Sequence, residues 1–242
     1  MADEKVALII GAGDATGGAV ARRFAREGYV ACVTRRNGDK LKPLVEEIEA
    51  AGGQARAYAS DARREEQMVE LVDGIERDVG PIEVALFNVG GNVNFPILET
   101  TSRAYFKIWE MSCFGGFLMG REVAHHMLSR GRGTILFTGA TASVRGGSGF
   151  AAFAGGKAAL RSLAQSMARE LGPQGIHVAH LIIDGAIDTP WIKENFPERH
   201  ALKDEGGILD PEAIADTYWR LHCQLRSAWT HEMDLRPWME TW

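Results

Sequence analysis

Apolar positions along this chain come as short continuous runs that alternate with stretches of helical spacing. Residues 5–10 end in Val6-Ala7-Leu8-Ile9-Ile10, a run of the kind buried on both faces of a sheet. The turn Gly11-Ala12-Gly13-Asp14-Ala15-Thr16-Gly17-Gly18 follows, and then a helix-forming run over 19–25. The same reading predicts strands at 29–34, 54–59, 82–88, 134–138, 177–183 and, last, 230–235. Helices are predicted at 41–51, 65–79, 101–128, 150–171 and 211–225. Leu41, Leu44, Val45 and Ile48 sit at helical spacing, Gly80-Pro81 and Gly172-Pro173 stop two helices, and Pro211 opens another. Strands separated by helices run parallel, and right-handed crossovers put helices on both faces of one sheet. The expectation is one doubly wound α/β domain over 1–242, since no repeat or linker interrupts the pattern.

Composition narrows this little. A hydrophobic share of 45% with 24% charged residues is that of an ordinary globular chain. The net charge of −5, with no long basic block, offers no field for nucleic acid or an anionic membrane. The 28 glycines gather at strand ends, where tight turns and ligand approach need them. Cys32, Cys113 and Cys223 are far apart and odd in number, which fits free thiols in a reducing compartment. Asp3-Glu4-Lys5 leads straight into the first strand without a signal peptide, and no apolar run would span a bilayer. A cytoplasmic protein is expected.

In a doubly wound sheet, ligands bind beyond the carboxyl ends of the strands, where strand order reverses. The glycine turn from Gly11 through Gly13, Asp14 and Thr16 to Gly17 follows a buried-type strand and opens a helix. In that context free amides meet a diphosphate. Arg35 and Arg36 follow the second strand, where a ribose 2′-phosphate is read, so NADP is preferred and NAD is the alternative. Asp14 argues the other way, and solvated surface charge is the plainer account of the arginines. Asp61, in Ser60-Asp61-Ala62, either accepts from an adenine amino group or caps the next helix. Asn88-Val89-Gly90 suits a ribose or a loop anchor.

The glycine turn, Asp61-Ala62, Asn88-Val89-Gly90, Lys157 and Asp184-Gly185-Ala186-Ile187-Asp188-Thr189 stand in the order and spacing of the short-chain dehydrogenase/reductase family. The resemblance covers nearly the whole chain. It implies a Rossmann-type three-layer fold around a parallel sheet of seven strands, usually in a homodimer or homotetramer. The activity it implies is hydride transfer between NAD(P) and a small alcohol or carbonyl substrate. Cofactor contacts are implied at Gly11, Gly17, Asn88, Lys157, Ile187 and Thr189, with Gly90 and Ala62 beside them.

The departures from that pattern concern the chemistry. The family carries a tyrosine four residues before its lysine, so that both share one helix face; here the segment reads Phe153-Ala154-Gly155-Gly156-Lys157. The family's substrate-binding serine falls on Ala140 and its relay asparagine on Ser112. Ala15 and Ile10 are milder changes. A positioned acid or base contributes about 10²- to 10⁴-fold in rate, while hydride chemistry belongs to the cofactor. Lys157 is therefore expected at the ribose. Thr141 and Ser143 are candidates for orienting a substrate, or serve only to satisfy loop backbone groups. Two functions follow: an oxidoreductase with altered proton supply, or a dinucleotide-binding sensor or partner subunit without turnover.

Other chemistry is weakly supported. His125 and His126 point apart on a helix, and His177 and His180 face opposite sides of a strand, so no metal site is expected. No nucleophile elbow surrounds Ser143. Residues 190–209 are expected to form a substrate lid with Trp191, Ile192 and Phe196, or a packed surface loop. The late tryptophans Trp219, Trp229, Trp238 and Trp242 suit a subunit interface or packing over the sheet edge.

Overall fold

The computed structural model describes residues 4–241; Asp3 and Trp242 lie outside them. Seven strands form the sheet: β1 (Val6–Ile10), β2 (Val30–Arg35), β3 (Gln54–Ala59), β4 (Ile82–Phe87), β5 (Gly133–Thr138), β6 (Ile176–Ile183) and β7 (Glu232–Leu235). Their order is β3-β2-β1-β4-β5-β6-β7, with every neighbouring pair parallel. The helices between them are α1 (Thr16–Arg26), α2 (Lys42–Ala50), α3 (Glu65–Asp78), α4 (Ser102–Trp109), α5 (Gly115–Arg130), α6 (Ala151–Leu171), α7 (Pro190–Asn195), α8 (Pro197–His200) and α9 (Pro211–His222). This is the doubly wound, Rossmann-type α/β sheet.

Strand side chains alternate, so β1 feeds two cores. Val6, Leu8 and Ile10 pack with Met68 of α3, Leu118 of α5 and Leu160 of α6. Ala7 and Ile9 face the other side, with Phe24 of α1, Ile48 of α2 and Tyr218 of α9. An apolar residue at every position of β1 is what two covered faces require.

Three boundaries differ from the sequence pattern. The helix predicted over 101–128 is α4 and α5 joined by a π-helical turn, Glu110–Phe114. Apolar spacing does not register the added residue of a π turn. The last helix stops at His222 because the chain folds back: Gln224 accepts from the Thr230 amide (2.7 Å) and donates to its hydroxyl (2.8 Å). The last strand accordingly starts at Glu232.

Two of the late tryptophans pack within the chain. Trp219 packs edge-on against Phe24 at 5.3 Å, and Trp229 stacks on His177 at 4.8 Å. Trp238 is exposed, but its indole N–H donates to the Glu205 carbonyl at 2.9 Å. The segment after β7 thereby reaches the 190–209 segment. It also roofs the turn after β6: a Cβ on Gly185 would lie 2.8 Å from Pro237 Cδ and 3.3 Å from Glu240 Oε2.

Candidate active site

Strand order reverses between β1 and its neighbours β2 and β4, which opens a crevice at their carboxyl ends. The glycine turn lies there. Gly11 has φ +88°, and a Cβ on it would come 2.8 Å from the Asn88 carbonyl oxygen. A Cβ on Gly17 would meet the Gly11 carbonyl oxygen at 2.4 Å, so only glycine lets α1 start this close to β1. Asn88 locks the turn, its amide donating to that same carbonyl at 3.1 Å. Gly13 has open space around its Cβ position, whereas Gly18 would strike the Gly13 carbonyl oxygen at 2.7 Å. The motif spacing drew attention to Gly13; the steric demand lies on Gly18.

The ledge fits a diphosphate. No side chain caps the amides at the start of α1, because Ala15 occupies the cap position, and the first turn holds no acidic residue. Thr16 is buried with its hydroxyl unpartnered among the described residues, and so is Ser60 farther along the crevice. Such orphaned hydroxyls are costly unless a ligand meets them.

Beyond the ledge, Arg35, Ser60, Asp61, Ala62, Arg63 and Met111 help line a cavity of about 150 Å³. Asp61 receives both arms of the Arg63 guanidinium, at 2.6 and 2.9 Å, and also the Arg63 amide at 3.2 Å. The guanidinium holds its carboxyl below the usual carboxylate range. Helix α3 begins at Glu65 with Arg64 in the cap position, so Asp61 is not its cap. Arg63 was missed from sequence; its signal is a cation two residues past an aspartate at a strand end. Arg35 pairs with Asp14 at 3.1 Å, and Arg36, Asn37 and Lys40 border an adjoining open cleft. The Asp14 carboxylate is thus partnered within the turn region rather than facing the cleft alone.

At the other end of the crevice, Lys157 is buried. It donates to the carbonyls of Thr138 (2.7 Å) and Val89 (3.2 Å), the residues ending β5 and following β4. Burial pushes its pKa down to about 8. A Cβ on Gly90 would lie 3.2 Å from this amine and 3.6 Å from the Phe153 ring, so Phe153, Lys157 and Gly90 meet at one point. Around them Ile108, Ala142, Ala152 and Phe153 form a small apolar cluster, with Val93, Ala140 and Phe150 packed against it.

The loop hydroxyls are engaged elsewhere. Thr141 donates to Asp184, a buried carboxylate at the end of β6 that Arg236 and Arg145 approach at 3.4 and 3.6 Å. Ser143 takes the second of the two roles open to it and satisfies a loop backbone group. It is buried, accepts from the Ala140 amide at 3.1 Å and lies 3.4 Å from His180 Nε2. Its geometry is that of a loop brace. His180 is fully buried, 3.3 Å from Glu232, and desolvation pushes its pKa down to about 4. Ser112, in the π turn, is fully buried against Gly156, where a Cβ would sit 2.8 Å from its own.

Ile187 pairs with Leu209 in a short bridge at the base of the 190–209 segment, and Thr189 caps α7 by accepting from the Ile192 amide at 3.1 Å. Asp188 ties that segment down through His200 (3.1 Å) and Lys203 (2.7 Å). Trp191 and Phe196 are exposed with their rings 5.3 Å apart.

A family model described as short chain dehydrogenase matches residues 5–200. The chain is 31% identical to a 7α-hydroxysteroid dehydrogenase of Escherichia coli over 191 residues, covering 79% of this chain and 74% of that protein. A short-chain dehydrogenase from Rhodopseudomonas palustris superposes with a TM-score of 0.83 at 52% identity, over 97% of this chain and 99% of that one. A 7α-hydroxysteroid dehydrogenase complexed with NADH and 7-oxo glycochenodeoxycholic acid superposes with a TM-score of 0.88 at 27% identity, over 98% and 94%. On the sheet, the glycine ledge and a match spanning most of its length, the chain belongs to the short-chain dehydrogenase family.

Proposed function

We propose that this chain is an NADP(H)-dependent oxidoreductase that moves hydride between the nicotinamide and a small alcohol or carbonyl-type substrate, without a side-chain hydroxyl as proton donor. The observation that carries it is the glycine ledge: Gly11, Gly17 and Gly18 are each demanded by backbone contacts, and no side chain caps the amides at the start of α1. When bound, the nicotinamide supplies the hydride. Gly11, Gly13, Thr16 and Gly17 hold the diphosphate, with Asp14 steadying Arg35. Arg35 and Arg36, with Lys40 close by, favour a 2′-phosphate and hence NADP over NAD. Asp61 and Ala62 border the adenine, while Asn88 and Gly90 shape the ribose end. Ile187 and Thr189 close over the carboxamide side. Lys157 binds the nicotinamide ribose, and its donation to two carbonyls holds the amine there. Thr141 donates its hydrogen bond to Asp184 and keeps only its oxygen lone pairs for a substrate, so proton supply falls to water or to the substrate.

A second reading, a dinucleotide-binding sensor or partner subunit without turnover, is favoured by Phe153 and Ala140, neither of which has a proton to give. Fluorescence titration with NADPH and NADH, followed by a carbonyl panel with wild type and with Phe153→Tyr/Ala140→Ser, separates them. The first reading expects NADPH to bind more tightly than NADH and wild type to turn over. Turnover by the double variant alone supports the second, and binding of neither nucleotide removes both.

This reading includes a cytoplasmic homodimer or homotetramer. Phe106, Trp109, Phe114 and Phe117 form a stacked ladder along α4 and α5 with ring spacings of 6.0, 6.2 and 6.1 Å; Phe106 and Phe117 are exposed. Such a stripe suits self-association, which light scattering would measure. Among the described residues no helix is long and apolar enough to cross a membrane.

A further inference from the structure

Among the described residues, the side chains that meet above Lys157 are apolar, and the hydroxyls beside them are engaged or fully buried. Ala140, Phe153, Val93 and Phe150 bring carbon to the cluster above Lys157. Thr141 donates to Asp184, Ser143 is buried against the Ala140 amide, and Ser112, whose hydroxyl is unpartnered among the described residues, is fully buried against Gly156. Lys157 directs two of its N–H groups at backbone carbonyls. A neutral ketone is poorly served here. As hydride adds to its carbon, negative charge grows on oxygen, and in a low-dielectric wall that charge needs a donor within hydrogen-bond reach.

Resting on the reading above that this crevice binds a reduced nicotinamide, we propose that the acceptor it serves is a positively charged carbon–nitrogen double bond, an iminium ion. The iminium carbon takes up the hydride, the C=N π pair becomes the nitrogen lone pair, and a neutral amine forms. The substrate is reduced, the nicotinamide is oxidised, and no proton enters or leaves. Charge on the substrate is lost on the way to the transition state instead of being created. An apolar wall penalises the charged reactant more than the partly neutralised transition state, so it eases the step from the bound iminium, whereas the oxyanion growing on a ketone is opposed outright. The aliphatic and aromatic carbons at positions 140 and 153, which remove the usual donors, are then suited to the substrate.

The test compares two acceptors of similar bicyclic shape with the purified protein and NADPH: N-methyldihydroisoquinolinium, which is permanently cationic, and α-tetralone. The expected result is a kcat/KM for the iminium more than about tenfold that for the ketone, since a missing acid costs about 10²- to 10⁴-fold. Phe153→Tyr, which returns a hydroxyl to the wall, is expected to narrow the ratio by raising the ketone rate. NADPH binding is read separately by its fluorescence. Absence of binding removes the nucleotide reading itself. Binding with a preference of about tenfold or less, or with no turnover of either acceptor, overturns the iminium proposal alone.

Discussion

Lys157 sits in an environment that its type rarely accepts. A buried ammonium among apolar side chains is destabilised relative to water, and its pKa falls from 10.5 to about 8. Below that value the lysine is charged in both folded and unfolded chains, and its burial costs stability. Between the folded and unfolded values the unfolded chain holds the extra proton, so stability rises with pH. Comparing the protein with a Lys157→Met variant isolates this, because the carbonyls of Thr138 and Val89 lose their donor equally at every pH. Urea unfolding without nucleotide is expected to shift the difference by about 2 kcal/mol in favour of the lysine protein between about pH 7.5 and 9.5. A difference that stays level would mean the amine is solvated. The sequence showed this lysine through the resemblance of its segment, but not its two carbonyl partners. Those depend on where β4 and β5 end relative to α6, which no local pattern records. For the same reason Ser143 and Thr141 could be named but not told apart. Both are loop hydroxyls, and only their distance to Ala140 and Asp184 distinguishes them.

Among the elements, the contact of α6 with the π turn sets the packing beneath the reacting end. Gly156 admits Ser112, and an added Cβ would stand 2.8 Å from the serine's own. Gly156→Ala is expected to destabilise by about 1–3 kcal/mol, as overpacking of a tight core site does. Ser112→Gly on the same background should recover part of the loss in thermal or urea melts. No recovery would mean that the strain lies in the helix rather than between the two side chains. Strands and most helices were legible because each carries its own period, two for the sheet and 3.6 for the helix. The π turn was not, since one inserted residue leaves the run from 101 to 128 looking uniformly helical. The preference for Gly18 over Gly13 was equally hidden. Spacing marks where glycines stand, and only three-dimensional neighbours decide which of them a methyl group would displace.

At the scale of the molecule, the 190–209 segment (the lid of the sequence reading) and the segment after β7 hold each other. Trp238 donates to Glu205, while Leu202 and Met239 both press on Gly207. Trp238 is 75% exposed, so Trp238→Phe should change global stability by no more than about 0.5 kcal/mol. Local opening of the lid should become easier, and tryptic cleavage at Arg199 and Lys203 several-fold faster. Equal cleavage rates would show that Asp188, through His200 and Lys203, secures the lid by itself. The roof that Pro237 and Glu240 set over Gly185 reaches further still, into the order of synthesis. Residues 11 to 17 leave the ribosome early, yet the turn at 185 cannot be closed until residue 240 has emerged. The ledge itself waits nearly as long, because Asn88 locks its turn and Phe24 of α1 packs with Tyr218 of α9, so both ends of the crevice are completed only as the last helix and the tail emerge.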